Sequence, residues 1–397
     1  MPPGLYFSDI NFIDLVRYKK TIIFPLSSIF LSIIVSLFLV EVILRIFNLG
    51  GNYFFRHDDY IGYIHIPNRV GWVLNRGEGS KVKIQINSFG LRDREYSLKK
   101  PPSTKRILIL GDSYAEAFQV NLEDSFEEIL ENMLNRKSGQ FRYEVANGGV
   151  SGFGTDNELL FYRHLGRQFS PDLVILTFVL NDVRENSYTF EKRYKGEVRE
   201  PYFILEDGKL KLMNYPSVRG FESLRTFVVE NIHTFFYLWR FFQFRKLKEN
   251  AVNENEGMPL QFEIYLPGYD KEWEDAWQLT KALILQLRRE VEADGAKFML
   301  VTITQSVQLY AKHREIYFKE FPEMRNQEWD WPKPNRIISG FCAQHQITLL
   351  DLLPAFEQYA ETHDQVLHYP GGHWNALGHE LTAEQLYEFI QLHHLLR

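Results

Sequence analysis

The sequence predicts an α/β domain, an open parallel sheet covered by helices on both faces, preceded by one N-terminal transmembrane helix. Three observations predict it. From Ile107 to the C-terminus, short continuously apolar runs alternate with segments of helical spacing, and strands alternating with helices give a parallel sheet buried on both sides. Near the N-terminus, Ile22 to Val40 is apolar or small and uncharged throughout, and about 20 such residues at 1.5 Å rise cross the hydrocarbon core of a bilayer. The chain has 397 residues, 45% hydrophobic and 24% charged. That is enough for one sizeable core plus an anchor or an insertion.

The anchor reads first. Glu41 and Arg45 end the apolar span. The run exceeds the apolar region of a cleaved signal peptide, and Val40-Glu41-Val42-Ile43-Leu44 offers no small-residue cleavage site. A core helix would carry a polar face, which this stretch lacks. Arg17, Lys19 and Lys20 precede the span, with Arg45 and Arg56 close behind it. The positive-inside bias therefore places residues 1–20 in the cytoplasm and 21–47 in the cytoplasmic (inner) membrane, with the remainder in the periplasm or its equivalent. A formal net charge of -6 provides no broad basic field, so nucleic acid is not an expected partner. Cys342, the single cysteine, excludes an intrachain disulfide and any multi-cysteine metal site. It leaves the compartment open.

Residues 48–104 mix Gly, Asn, Pro and charged residues around alternating runs such as Lys81-Val82-Lys83-Ile84-Gln85-Ile86, which predicts a half-buried strand in a juxtamembrane stalk or small β cap. Pro101-Pro102-Ser103 closes it like a linker. The main domain spans 105–397. Its expected strands are Ile107–Leu110, Tyr143–Ala146, Leu173–Val179, Phe298–Thr302 and Thr348–Leu350. Its expected helices are Phe118–Leu134, Asn157–Leu165, Trp273–Val291 and Gly378–Leu392. Between about 186 and 269 the rhythm breaks, marking an insertion whose centre, Phe221 to Phe244, is unusually aromatic and ends in Arg245-Lys246-Leu247-Lys248. Such a stripe serves equally a helix at a membrane surface, an acyl-chain groove or a helix packed on the core.

Four segments carry chemistry. Ile107-Leu108-Ile109-Leu110-Gly111-Asp112-Ser113 ends a buried strand in a tight turn and presents Ser113 at the start of a helix. A hydroxyl is a poor nucleophile unless it sits beside a base and oxyanion donors, and helix N-terminal N–H groups can supply a donor. Asn147-Gly148-Gly149-Val150-Ser151-Gly152-Phe153-Gly154-Thr155 follows a strand but has neither P-loop nor dinucleotide spacing. A loop whose backbone approaches an oxyanion explains it better. Leu180-Asn181-Asp182 follows the next strand, and Gly371-Gly372-His373-Trp374-Asn375 precedes the last helix. Singly these are weak signals: Asp or Ser at a helix start is usually a cap, and Asn-Asp at a strand end is usually a turn. In this order they are specific, because an open parallel sheet gathers its site at the C-terminal strand edge. The histidines at 363, 368, 379, 393 and 394 show no metal-ligand spacing.

From about Ile107 to the C-terminus, the insertion excepted, the chain resembles the SGNH/GDSL hydrolases, and Asn87-Ser88-Phe89-Gly90-Leu91-Arg92 resembles the lead-in of their membrane-anchored members. The resemblance implies a flavodoxin-like three-layer α/β/α domain. Ser113 would be nucleophile and N–H donor, Gly152 the second backbone donor with Gly149 ranked below it, Asn181 the side-chain donor and His373 the base. No metal or cofactor is implied. The expected substrate is a simple acyl ester or acylated glycan, handled by hydrolysis or by O-acyl transfer through the same residues. One departure matters: the family places an Asp two or three residues before the His, and here those positions are Gly371 and Pro370. Either a backbone carbonyl holds the ring, or Asp364 or Asp351 reaches in, or the site is impaired and the protein binds without turnover.

Overall fold

The computed structural model describes residues 23–46, 54–75, 79–136, 139–195, 198, 200–215, 228, 232–238, 241–242, 245, 258–370 and 372–396. The chain forms two compact units, residues 1–51 with 224–246, and 52–223 with 247–397.

In the first unit helix α1, Phe24–Ile46, has no buried residue. Its best 18-residue window has a mean hydropathy of 2.6, and from Phe24 to Val40 its side chains are exposed on every face. Among the described residues this helix is the one long and apolar enough to cross a membrane. Arg17, Lys19 and Lys20, which orient it in the sequence argument, lie outside the described residues.

The second unit opens with two antiparallel pairs, β1 Phe55–Asp58 with β2 Gly62–His65, and β3 Val70–Leu74 with β4 Lys81–Gln85. This region is packed onto the main domain rather than detached from it. Phe54, Val82, Ile84 and Ile86 bury against Phe118, the Tyr96 hydroxyl donates to the Val145 carbonyl at 2.9 Å, and Asp93 accepts from the Asn147 N–H at 2.8 Å.

The chain then alternates strand and helix: β5 Thr104–Gly111, α2 Ser113–Glu116, α3 Phe126–Asn135, β6 Arg142–Asn147, α4 Thr155–His164, β7 Leu173–Phe178 and α5 Asp182–Glu185. After α6 Tyr188–Lys195 and a hairpin, β8 Tyr202–Glu206 with β9 Lys209–Met213, it continues through α7 Lys271–Ala293 and β10 Lys297–Thr302. Helices α8 Ser306–Leu309, α9 Ala311–Glu320 and α10 Lys333–His345 precede β11 Thr348–Asp351, followed by α11 Leu353–Thr362 and α12 Ala376–Leu392. Strands β5, β6, β7, β10 and β11 form one sheet in the order β11-β10-β7-β5-β6, with every pairing parallel.

The period-two alternation of strand side chains makes the three layers. Ile107, Ile109, Val145, Ile175 and Val301 pack with α3, α11 and α12 on one face. Leu108, Leu110, Ala146, Leu176 and Leu300 pack with α4, α7 and α10 on the other. Numbered by sequence, the strands lie in the order 2-1-3-4-5, the flavodoxin-like order, and the crevice for a ligand opens where that order reverses, between strands 1 and 3. Here that is the gap beyond β5 and β7.

The expected helix from Phe118 is shorter than its apolar spacing implied and starts at Phe126. Ala117 adopts a left-handed conformation, φ 55°, that ends α2. Phe118 then turns toward the N-terminal hairpins, its ring centroid 5.1 Å from that of Phe54. Tertiary packing overrides local periodicity there. Of the aromatic stretch, Phe227, Trp239 and Phe244 and the basic Lys246 and Lys248 fall outside the described residues.

Candidate active site

The serine, the asparagine and the histidine meet at that crevice. Strand β5 ends at Gly111, and Asp112 caps α2, its Oδ1 accepting from the Tyr114 N–H at 2.9 Å. Ser113 thereby becomes the first residue of a helical turn, with its backbone N–H among the donors that no intrahelical carbonyl can take. His373 arrives from the far end of the chain on a short antiparallel turn: the Tyr369 N–H donates to the His373 carbonyl at 2.8 Å and the Asn375 N–H to the Leu367 carbonyl at 3.0 Å. Asn375 then caps α12 by accepting from the Gly378 N–H at 3.1 Å. Ser113 Oγ and His373 Nε2 lie 2.8 Å apart, within the reach a general base needs. Burial holds the imidazole below its ordinary pKa, partly opposed by the negative charge of Glu116, so near neutral pH it is the unprotonated base.

Asn181 follows β7 on the opposite lip. Its Nδ2 donates to Asp112 Oδ2 at 3.3 Å and to Glu185 Oε2 at 2.9 Å. An amide nitrogen has two protons, so both are engaged here, and donation to an oxyanion requires exchanging one of these acceptors. Burial pushes Asp112 up to about 6 and Glu185, with Asp112 and Glu191 adding like charge, up to about 8. Both carboxyls are therefore weak competitors for the amide once protonated.

Gly152 has φ 78°, a conformation that favours glycine, and a Cβ there would lie 2.7 Å from the Tyr63 hydroxyl. No protein acceptor takes its N–H among the described residues. Gly152 is not among the residues lining the cleft beside Ser113. Gly149 serves packing instead. Its N–H is taken by Asn147 Oδ1 at 2.8 Å, and a Cβ would lie 2.5 Å from the Glu116 nitrogen.

Neither carboxylate considered as a surrogate acid reaches His373. Asp351 is committed to the end of β11, where Oδ1 accepts from Thr302 Oγ1 at 2.5 Å and Asn335 Nδ2 at 2.8 Å. Asp364 is exposed on the turn after α11 and makes no contact with the ring. Among the described residues nothing hydrogen-bonds His373 Nδ1, and Gly371, the family's Asp position, lies outside them. The loop itself is tied down by Tyr114, whose hydroxyl donates to the Gly372 carbonyl at 2.7 Å and whose ring centroid sits 5.1 Å from that of His373. Burial, with Asp112 beside it, raises the Tyr114 phenol far above its ordinary range, so this donor keeps its proton. Among the described residues, then, a tyrosine–carbonyl tether and no carboxylate lies behind the histidine.

Several residues of the site escaped sequence reasoning. Glu116, buried, accepts from the Ser151 N–H at 3.0 Å and pairs with His65 Nε2 at 2.7 Å, and the Ser151 hydroxyl also donates to it. His65 in turn contacts the Gly90 carbonyl through Nδ1 at 3.0 Å, and the Tyr63 hydroxyl donates to the Ser151 carbonyl at 3.0 Å. The N-terminal hairpin and the Asn87–Arg92 turn therefore brace the Gly152 loop. The signal was Glu116 in the serine block, a charge three residues past the nucleophile, but its partners are 35 and 51 residues away. Beside Ser113 opens a cleft of about 230 Å³. Its walls include Phe262 and Tyr265 from a 3₁₀ turn, Leu260–Tyr265, with Arg184, Gln305 and Tyr317. That turn falls within the insertion expected between about 186 and 269. The Arg184 charge is matched by Glu185 at 2.7 Å and Glu191 at 2.8 Å. His379 is structural, stacked 6.0 Å from Phe126 and accepting its N–H at 3.3 Å. Among the described residues no cluster of His, Cys, Asp or Glu is arranged to hold a metal.

A serine set against a histidine at the switch-point crevice has the geometry of a nucleophile–base pair, and the order of the four blocks resembles that of the SGNH/GDSL hydrolases. No family model matches the chain. It is similar to an arylesterase of Vibrio mimicus, 35% identical over 80 residues, which are 20% of this chain and 39% of that protein. Among solved structures it is similar to the acetyl xylan esterase AlAXEase, with 14% identity, a TM-score of 0.40 and coverage of 71% of this chain and 98% of the other. It is also similar to a GDSL-like lipase from Bacteroides thetaiotaomicron, with 13% identity, a TM-score of 0.34 and coverage of 73% and 89%.

Proposed function

We propose that this protein is a serine esterase of the SGNH/GDSL type that hydrolyses simple acyl esters, with acetyl groups of an envelope polysaccharide as its target, and that it works outside the cytoplasmic membrane from a retained N-terminal anchor. The observation that carries the reading is the 2.8 Å contact between Ser113 Oγ and His373 Nε2 at the mouth of a cleft sized for a short acyl group. Ser113 Oγ attacks the ester carbonyl as His373 Nε2 takes its proton. The tetrahedral oxyanion is held by the N–H groups of Ser113 and Gly152 and by Asn181 Nδ2 once the amide leaves one carboxylate. Collapse expels the alcohol, which receives the proton from His373. Water then repeats the cycle on the acyl-serine, releasing the acid and restoring the hydroxyl.

Among the described residues no carboxylate meets Nδ1, which lowers the expected rate without abolishing it. In serine proteases the loss of correct histidine orientation by the triad acid costs on the order of 10⁴ in kcat, and substantial catalysis survives. The deciding experiment is labelling by a fluorophosphonate probe together with p-nitrophenyl acetate turnover. Ser113→Ala and His373→Ala should each abolish both. Wild-type protein with neither labelling nor turnover would leave the non-catalytic binding reading in place. Transfer of the acyl group to a glycan hydroxyl uses the same residues and is separated from hydrolysis by following acetyl from a labelled donor into oligosaccharide or into free acetate.

A further inference from the structure

The first compact unit contains a second element whose apolar surface the catalytic reading does not use. Glu41 lies five residues before the end of α1, about 7.5 Å below it at 1.5 Å per residue. There its carboxylate accepts from the Thr234 N–H at 2.8 Å, the Thr234 hydroxyl at 2.8 Å and the His233 N–H at 3.2 Å, and from Arg45 Nε at 2.8 Å. A carboxylate at such a depth in a membrane-spanning helix is costly unless it is fully paired. The pairing fixes residues 233–238, a short helical run, against the span. Between them opens a groove of about 400 Å³ with Leu37 and Phe38 on one wall and Ile232, Phe235 and Leu238 on the other. Further along, Phe241 and Phe242 are 57% and 65% exposed, and the Arg245 guanidinium lies 5.9 Å from the Phe241 ring centroid.

We propose that the Ile232–Leu238 segment with Phe241 and Phe242 is a second membrane contact, seated in the interfacial region, and that the groove beside α1 holds a phospholipid acyl chain. One wall of the groove is the face of the span itself, and the apolar residues of the span are exposed to whatever surrounds it. The medium that solvates Leu37 and Phe38 therefore fills the groove. Leu37 is nine residues from the helix end, about 14 Å at 1.5 Å per residue, deep enough for acyl chain rather than headgroup. Exposed aromatics followed by a basic residue fit the boundary layer, where rings sit among headgroups and guanidinium reaches water or phosphate. Glu41 is the clamp between the two elements. This proposal rests on the membrane-spanning reading of α1 and not on the esterase reading.

The test uses the full chain in phosphatidylcholine–phosphatidylglycerol bilayers, with nitroxide labels on single introduced cysteines. Cys342 is buried and does not compete. Labels at Leu238→Cys and Phe242→Cys should be relaxed by oxygen and shielded from a water-soluble nickel complex, as should a reference at Ile33→Cys in the span. A label at Lys209→Cys, on the exposed hairpin, should behave oppositely. Glu41→Ala should expose position 238 to nickel, and Glu41→Gln, which keeps an acceptor oxygen, should not. Immersion at 33 with water-like behaviour at 238 and 242 would overturn the proposal while leaving the span intact. Water-like behaviour at 33 would remove the span as well. Dipolar broadening at 238 that vanishes on dilution with unlabelled protein would assign the groove to a second copy and overturn the lipid assignment. Unchanged shielding at 238 in Glu41→Ala would overturn the clamp.

Discussion

Removing a single oxygen at Tyr114 tests whether a tether substitutes for the missing acid. Tyr114→Phe keeps the ring against His373 and Trp374, whose centroids lie 5.1 Å away in both cases, and deletes only the hydroxyl that donates to the Gly372 carbonyl at 2.7 Å. Leaving a half-buried carbonyl without its partner costs about 1–3 kcal/mol. If that energy holds His373 in line with Ser113, it appears in the transition state, and each 1.4 kcal/mol is a factor of about ten in rate. The expected fall in kcat is therefore roughly 5- to 150-fold. The assay is p-nitrophenyl acetate turnover with kcat and KM separated, run beside fluorophosphonate labelling rates and thermal unfolding. A merely structural bond would lower Tm and leave kcat alone below the transition. A kcat within about two-fold of wild type, with a lowered Tm, refutes the tether as a catalytic positioning device. The same logic predicts that Gly371→Asp, which places a carboxylate where the resembling family has one, brings little gain in kcat, whereas a rise of about tenfold or more would show that the tether leaves the ring poorly oriented, since oriented acids contribute up to about 10⁴ elsewhere. No gain there would mean that His373 is already fully oriented.

Asn181→Ala should cost about 10² to 10³ in kcat with the fold intact, the usual loss for one oxyanion donor. An unchanged rate would show that its bonds to Asp112 and Glu185 are its whole role. The acid limb of kcat/KM should fall below the ordinary imidazole value of 6.5, because burial lowers His373 and the base works only when neutral. A limb above 6.5 in the pH–rate profile would contradict this. Burial pushes Glu127 from its ordinary 4.5 up to about 7, so the stability it contributes is fully present below 4.5 and is lost as pH rises through about 7. Glu127→Gln, read by thermal unfolding, should gain Tm over wild type more at pH 8 than at pH 5. An equal offset at both values would exclude the linkage.

The apolar runs at Ile107–Leu110, Leu173–Val179 and Phe298–Thr302 fixed the strands, because a parallel strand buried on both faces leaves no room for polar residues. Likewise the meeting of the Ser113, Asn181 and His373 blocks follows from their places after strands or before a helix, since the topology of a parallel sheet brings such positions to one edge. The apolar span was legible because backbone hydrogen-bonding in lipid demands an uninterrupted run. What the sequence could not show was pairing over distance. His65 with Glu116, Tyr63 with Ser151 and Tyr114 with Gly372 join segments 51, 88 and 258 residues apart, and no local periodicity encodes such contacts. Asp351 and Asp364 looked available in sequence. Only the fold committed one to the β11 terminus and left the other on the surface. Local spacing specifies elements one at a time, whereas a carboxylate's availability depends on every group that packing brings within hydrogen-bond reach of it.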